Sequence, residues 1–188
     1  MTKTQQKKLA YTLCTLALLI AMMVLLTMTI SIQTPFFKLS FGSLPVVLAA
    51  LLFGPLEGAA VAVLGEFLVQ VLGPYGLTQT TIIWIWPPAV RALVVGSAAV
   101  WLRRRGVRLE SRPALCYGAC IAGAILTTIS NTVGMWLDSL VNYTSFTAAA
   151  LWVPARFVSG VCTAVVVATI CMPLIHSLRR SGVLRHAE

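Results

Sequence analysis

The stretch WLRRRGVRLESR, Trp101 to Arg112, separates two long apolar runs in a chain of 188 residues. It holds Arg103, Arg104, Arg105, Arg108 and Arg112, and its placement decides the fold class. Two more basic groups lie beyond the outermost runs: Lys3, Lys7 and Lys8 before the first, and Arg179, Arg180 and Arg185 after the last. Together the three groups contain eleven of the 14 basic residues. Short cytoplasmic loops of membrane proteins collect Lys and Arg. An even number of crossings puts all three groups on one face, whereas five or seven would send the last one outside.

Composition agrees. The chain is 59% hydrophobic and only 10% charged, against about 25% charged for soluble domains. Mean hydropathy is +0.90. The net charge of +9 sits in the three loop groups rather than in a basic-aromatic module, which argues against a nucleic-acid partner. The five cysteines, Cys14, Cys116, Cys120, Cys162 and Cys171, all fall in apolar runs. They read as small buried packing residues, with no metal role. The run from Leu9 to Ile30 is too long for a signal-peptide core and reads as a retained helix.

A spanning helix needs about 20 apolar residues. The sequence predicts an all-α polytopic bundle, one membrane domain over residues 1–188. Its six helices are expected at roughly 8–30, 43–53, 58–72, 80–102, 113–138 and 147–178. Ser31 to Phe41 is expected as a loop, Gly54 to Gly58 as a turn, and Ser111 as the cap of the fifth helix. Pro87 and Pro88 predict a kink in the fourth. The second helix is too short to cover the core and is expected to be tilted, partly submerged or re-entrant with the third. Both termini are expected on the cytoplasmic side of a bacterial plasma membrane.

Polar residues inside these spans carry the functional information. A charge at a helix centre costs at least about 2.5–3.5 kcal/mol on insertion scales. Counting at 1.5 Å per residue puts Arg91 about 16 Å deep and Glu66 at a similar level. That gives either a buried ion pair or two ligand contacts. Arg156 and Asn131 count to about 13 and 10 Å from the outer side, where a guanidinium can grip a carboxylate. Gln70, Gln79 and Lys38 accompany them. Trp84, Trp86, Trp136, Trp152, Tyr75 and Tyr143 gather near the outer ends of the helices. Most belong to an interfacial belt, while some, Trp84 and Trp136 among them, are expected to line a pocket for a flat heteroaromatic ligand. No phosphate loop, paired carboxylates or nucleophile-base arrangement is present, so no enzyme is expected. Ala17 and Ala21, one turn apart on the first helix, permit a close helix approach.

The segment LSFGSLPVVLAALLFGPLEG, Leu39 to Gly58, resembles the substrate-binding S components of energy-coupling factor (ECF) vitamin transporters, and most closely their folate-type group. Glu66, Asn131-Thr132 and the run Leu151 to Arg156 continue the same pattern. The resemblance implies a six-helix S-component bundle with an outer pocket for a water-soluble vitamin, folate or a related heteroaromatic compound. Lys38, Glu66, Gln70, Gln79, Trp84, Arg91, Asn131, Trp136 and Arg156 are the candidate contacts. The resemblance also implies partnership with a transmembrane coupling protein, reached through Ala17 and Ala21, and with two ATPases that hydrolyse the ATP. The chain itself then needs no cofactor. Lys38 stands where folate-type members often have Arg, and Thr78 to Pro88 departs from their small-residue pattern. A queuosine precursor, cobalamin or pantothenate is therefore the alternative cargo, and a self-sufficient small secondary transporter the alternative function.

Overall fold

A computed structural model describes residues 3–33, 38–73, 76–142, 146 and 150–180. Among the described residues six helices form the bundle: α1 (Lys3–Thr29), α2 (Ser43–Leu52), α3 (Pro55–Leu72), α4 (Thr81–Arg104), α5 (Pro113–Val141) and α6 (Val153–Arg180). All but α2 are long and apolar enough to cross a membrane. The helix count agrees with the sequence reading, and several boundaries move. The third helix starts at Pro55, because proline suits a first helical position and Gly54, at φ 130°, supplies the preceding backbone conformation that other residues resist. The sixth starts at Val153, after a turn at Leu151 and Trp152. Its expected start at Thr147 lies outside the described residues. Ser111 does not cap α5; its hydroxyl donates to the Arg108 carbonyl at 2.7 Å. Between α1 and α2, the expected loop contains two short antiparallel strands, β1 (Ser31–Gln33) and β2 (Lys38–Ser40), with Ile32 opposite Leu39.

The short second helix is not peripheral. Leu44 through Leu51 are all buried, and α2 packs on α1, α3, α4 and α6. Its sequence, SLPVVLAALL, is apolar on every side, as a helix surrounded by others requires. It turns back sharply into α3, so that a Cβ on Gly58 would lie 2.7 Å from the Ala50 Cβ. At ten residues it is only about 15 Å long, which leaves its last carbonyls inside the protein. Arg103, from the basic stretch at the end of α4, donates through Nη2 to the Leu51 carbonyl at 3.3 Å. A cation at a helix C-terminus also opposes the helix dipole favourably.

Packing is closest at glycines. A side chain on Gly96 of α4 would bring its Cβ within 2.5 Å of Pro55 Cα and 2.7 Å of Pro55 N. Backbone cannot yield as a side chain can. Gly96→Ala is therefore expected to destabilise the bundle by about 2–3 kcal/mol, in the upper part of the overpacking range, seen as a lower melting temperature in detergent. Gly118 of α5 has open space around it, so Gly118→Ala is the control and should cost nothing. Equal melting points for the two variants would show that the α4 contact yields freely.

All five cysteines are free; Cys116, Cys120 and Cys171 are buried as expected. Cys14 and Cys162 are exposed instead, because their positions on α1 and α6 turn away from the core. At the basic end the five arginines of the 103–112 stretch are exposed, and the Arg105 guanidinium stacks 3.8 Å from the centre of the Trp101 ring.

Candidate functional site at the end opposite the arginines

Close contacts between neighbouring helices fix their axial register. Gly96 of α4 meets Pro55 of α3. Running eleven residues from that contact along each antiparallel helix brings Glu66 level with Ile85. Gly134 of α5 meets Ile83 of α4, a Cβ there lying 3.1 Å from Ile83 Cγ2. Ile85 is thus level with Thr132. Gly160 of α6 meets the Thr128 hydroxyl at 3.1 Å from its would-be Cβ, which brings Arg156 level with Thr132. Glu66, Trp84, Asn131 and Arg156 therefore fall within about one residue of a common level on four different helices.

Helix phase adds direction. Asn131 is one turn beyond buried Thr127 and one turn before buried Met135. It sits on the interior stripe of α5 yet is only half-buried, which places it at an opening in the core rather than inside the packing. Arg156 stands seven residues before buried Thr163, on the interior side of α6, and is also half-buried. It lies in the first turn of α6, its amide bonded to the Trp152 carbonyl at 3.1 Å. The sequence count, starting at Thr147, had set it deeper along its own helix. Glu66 is half-buried beside the interior stripe of α3, and Gln70, one turn on, donates to its Oε1 at 3.4 Å.

The aromatic residues divide. Trp84 is half-buried. Trp86 is 60% exposed and Trp136 49%, both on the outer surface, where an interfacial belt belongs. Ile83, Trp86, Ser130, Val133, Gly134 and Leu137 border a groove of about 300 Å³. It opens on the outer side of α4 and α5 and includes none of the candidate contacts. Gln79 is exposed before α4. Lys38 pairs with Gln33 in the hairpin; its side chain lies outside the described part, as do Tyr75 and Tyr143. Ala17 and Ala21 are both exposed on α1.

Glu66 and Arg91 are not brought together. Pro55 rests on Gly96, eight residues short of the end of α4, so α3 begins about 12 Å above that end. The depth count had started both helices at the same plane. With the true register, Arg91 is six residues, about 9 Å, below the Glu66 level. Its Nε is buried with no hydrogen-bond partner. The effects of Glu66→Gln and Arg91→Met on stability should therefore add in the double variant within about 0.5 kcal/mol, as for separated sites. A coupling energy above 1 kcal/mol in a detergent unfolding cycle would restore the ion pair.

Sequence reading missed one polar feature. Thr127, Thr128 and Thr132 on α5 and Ser159 and Thr163 on α6 form a hydroxyl stripe along the interior. Each donates back to a carbonyl of its own helix, at 2.7 to 3.0 Å. Their hydrogens are used but oxygen lone pairs remain to accept. The recognisable signal was Ser and Thr recurring at helical spacing within apolar runs.

Comparison with known proteins agrees with this architecture. Among curated proteins, none matches the sequence. One similar solved structure is the S component of a bacterial ECF transporter, with a TM-score of 0.65 and 20% identity, over 94% of this chain and 97% of that one. A second is an S component for biotin from an ECF-type ABC transporter, with a TM-score of 0.53 and 17% identity, over 90% and 94%. At such identities the likeness speaks for the fold alone. The family model for the substrate-specific component of ECF transporters matches residues 11–175. Members of that family are transport subunits, not enzymes, and the family implies work with an ECF module and a small-molecule substrate. By that match over most of its length, the chain belongs to the substrate-specific components of ECF transporters.

Proposed function

We propose that this chain captures a water-soluble vitamin of the folate or related heteroaromatic type on the extracellular side and delivers it to a coupling protein driven by two ATPases. In this reading the arginine-rich end and both termini are cytoplasmic. The observation that carries it is the convergence of Glu66, Trp84, Asn131 and Arg156 at one level, from four helices, away from the basic end. Their chemistry is complementary to such a ligand. A carboxylate and an amide meet the donors and acceptors of a heterocycle, an indole offers a stacking face, and a guanidinium takes an anionic group in a two-point grip. Arg156 also lies at the N-terminal turn of α6, where backbone N–H groups and the helix dipole favour an anion.

Mass spectrometry of small molecules retained by the purified chain tests this without a prior choice of vitamin. The expected result is one heteroaromatic compound at near-stoichiometric amount, lost from Asn131→Ala and Arg156→Ala. Retention of lipid alone, together with no melting shift from any vitamin, removes the capture reading.

A further inference from the structure

Arg91 is the ionisable side chain that the capture level does not use. It lies ten residues from the Thr81 end of α4 and thirteen from Arg104, so about 15 and 20 Å from the two ends. The residue as a whole is half-buried. Its Nε is buried and has no acceptor. Glu66 is about 9 Å away along the bundle axis. Among the described residues the ionisable group within electrostatic reach is the thiol of Cys120, which is no counter-charge of the carboxylate kind. The nearby Thr127 hydroxyl donates to the Gly123 carbonyl at 2.7 Å. Across from the arginine stem stands Gly123, where a Cβ would lie 3.5 Å from Arg91 Cγ and 3.3 Å from Val95 Cγ2. A glycine thus admits the side chain against α5, and among the described residues no carboxylate meets it. An arginine kept for stability would have its acceptor built in.

Trp84 precedes Arg91 by seven residues, two turns of one helix. The two side chains therefore share a face, about 10 Å apart along the axis. We propose that Arg91 anchors the carboxylate of an elongated substrate whose ring system stacks on Trp84, so that the chain selects heteroaromatic acids about 10 Å long over their neutral esters. The inference rests on the capture reading and names the substrate class of that site. A carboxylate suits the position better than a phosphate ester. It is planar, it pairs with a guanidinium through two parallel bonds, and it brings one negative charge rather than nearly two into a desolvated place.

Pteroate and its methyl ester are the probes, titrated into the full chain in detergent and read by melting temperature. Wild type is expected to bind the acid at least 100-fold more tightly than the ester. Arg91→Met should bind both equally and weakly, and melt without ligand at or above the wild-type temperature, since it removes a buried Nε that has no acceptor. The proposal is overturned by ester binding as tight as acid binding, by unchanged acid binding in Arg91→Met, by neither probe shifting wild type, or by ligand-free Arg91→Met melting more than about 5 °C lower, which assigns Arg91 to stability. Failure of the capture reading looks different: no small molecule is retained by wild type and no vitamin of any class shifts its melting point.

Discussion

Arginine at both Ala17 and Ala21 is expected to abolish substrate uptake by the assembled importer while leaving capture by the isolated chain within about twofold of wild type. Both alanines are exposed on α1. Cys14, Leu18 and Leu25 beside them are exposed as well, so this side of the helix is turned away from the bundle. Leu19 and Met23 form the opposite, buried side, each at 3% exposure. Two small residues one turn apart make a flat strip on which another helix can approach closely, and in lipid such contacts rest on van der Waals packing rather than on hydrophobic transfer. Two arginines there hold the partner off by several ångströms and touch nothing in the core. Uptake of labelled vitamin into proteoliposomes containing the coupling protein and ATPases measures the first effect, and calorimetry on the isolated chain the second. Full uptake by the double variant would remove this strip of α1 from the coupling surface. A parallel loss of capture would mean that α1 had shifted against α3.

Arg156→Ala is the second large effect. Removing a guanidinium that holds an anionic group costs about 2–5 kcal/mol when the pair is desolvated, and at 1.4 kcal/mol per decade the lower part of that range is a loss of about 100-fold. Arg156→Lys should recover only part of it, because an ammonium lacks the planar fork. Neither variant should lower the melting temperature greatly, since Arg156 is half-buried in the first turn of its helix. Quenching of tryptophan fluorescence, with Trp84 as the expected reporter, follows the titration. Binding within threefold of wild type in Arg156→Ala would return the residue to the outer headgroups, reached by snorkelling.

The two arginines would then act at different levels. In the proposed reading Arg156 meets an anionic group of the substrate at the mouth, and Arg91, about 9 Å deeper along the bundle axis, decides whether an acid is accepted. Their variants are separable: Arg91→Met removes the preference for pteroate over its methyl ester, whereas Arg156→Ala leaves that preference in place, because the single carboxylate of pteroate is held by Arg91.

Much of this was legible in the linear sequence. Hydropathy and the cost of burying charge are local properties, so the membrane class, six helices and the three basic groups could be read by counting. So could the start of α5 at Pro113 and the break after Leu72, which proline and glycine mark. Counting failed where it assumed that all helices start at one plane. Pro55 resting on Gly96 raises α3, and that single contact separates Glu66 from Arg91. The same count took Trp84 and Trp136 as equals, though helix phase turns one inward and the other out. It took α2 for the weakest element, because ten residues do not span a bilayer. Four neighbouring helices and the Arg103 bond to the Leu51 carbonyl instead place it at the centre.

The sequence by itself thus determined that the chain lies in a membrane, how many helices it forms and which end carries the arginines, since each of these follows from residues adjacent along the chain. Only the tertiary structure decided which polar residues share a level, which tryptophan is half-buried and which arginine has a buried Nε with no acceptor among the described residues. Axial register is set by steric contacts such as Gly96 on Pro55, Gly134 on Ile83 and Gly160 on Thr128, between residues 32 to 51 positions apart, and no local pattern encodes them.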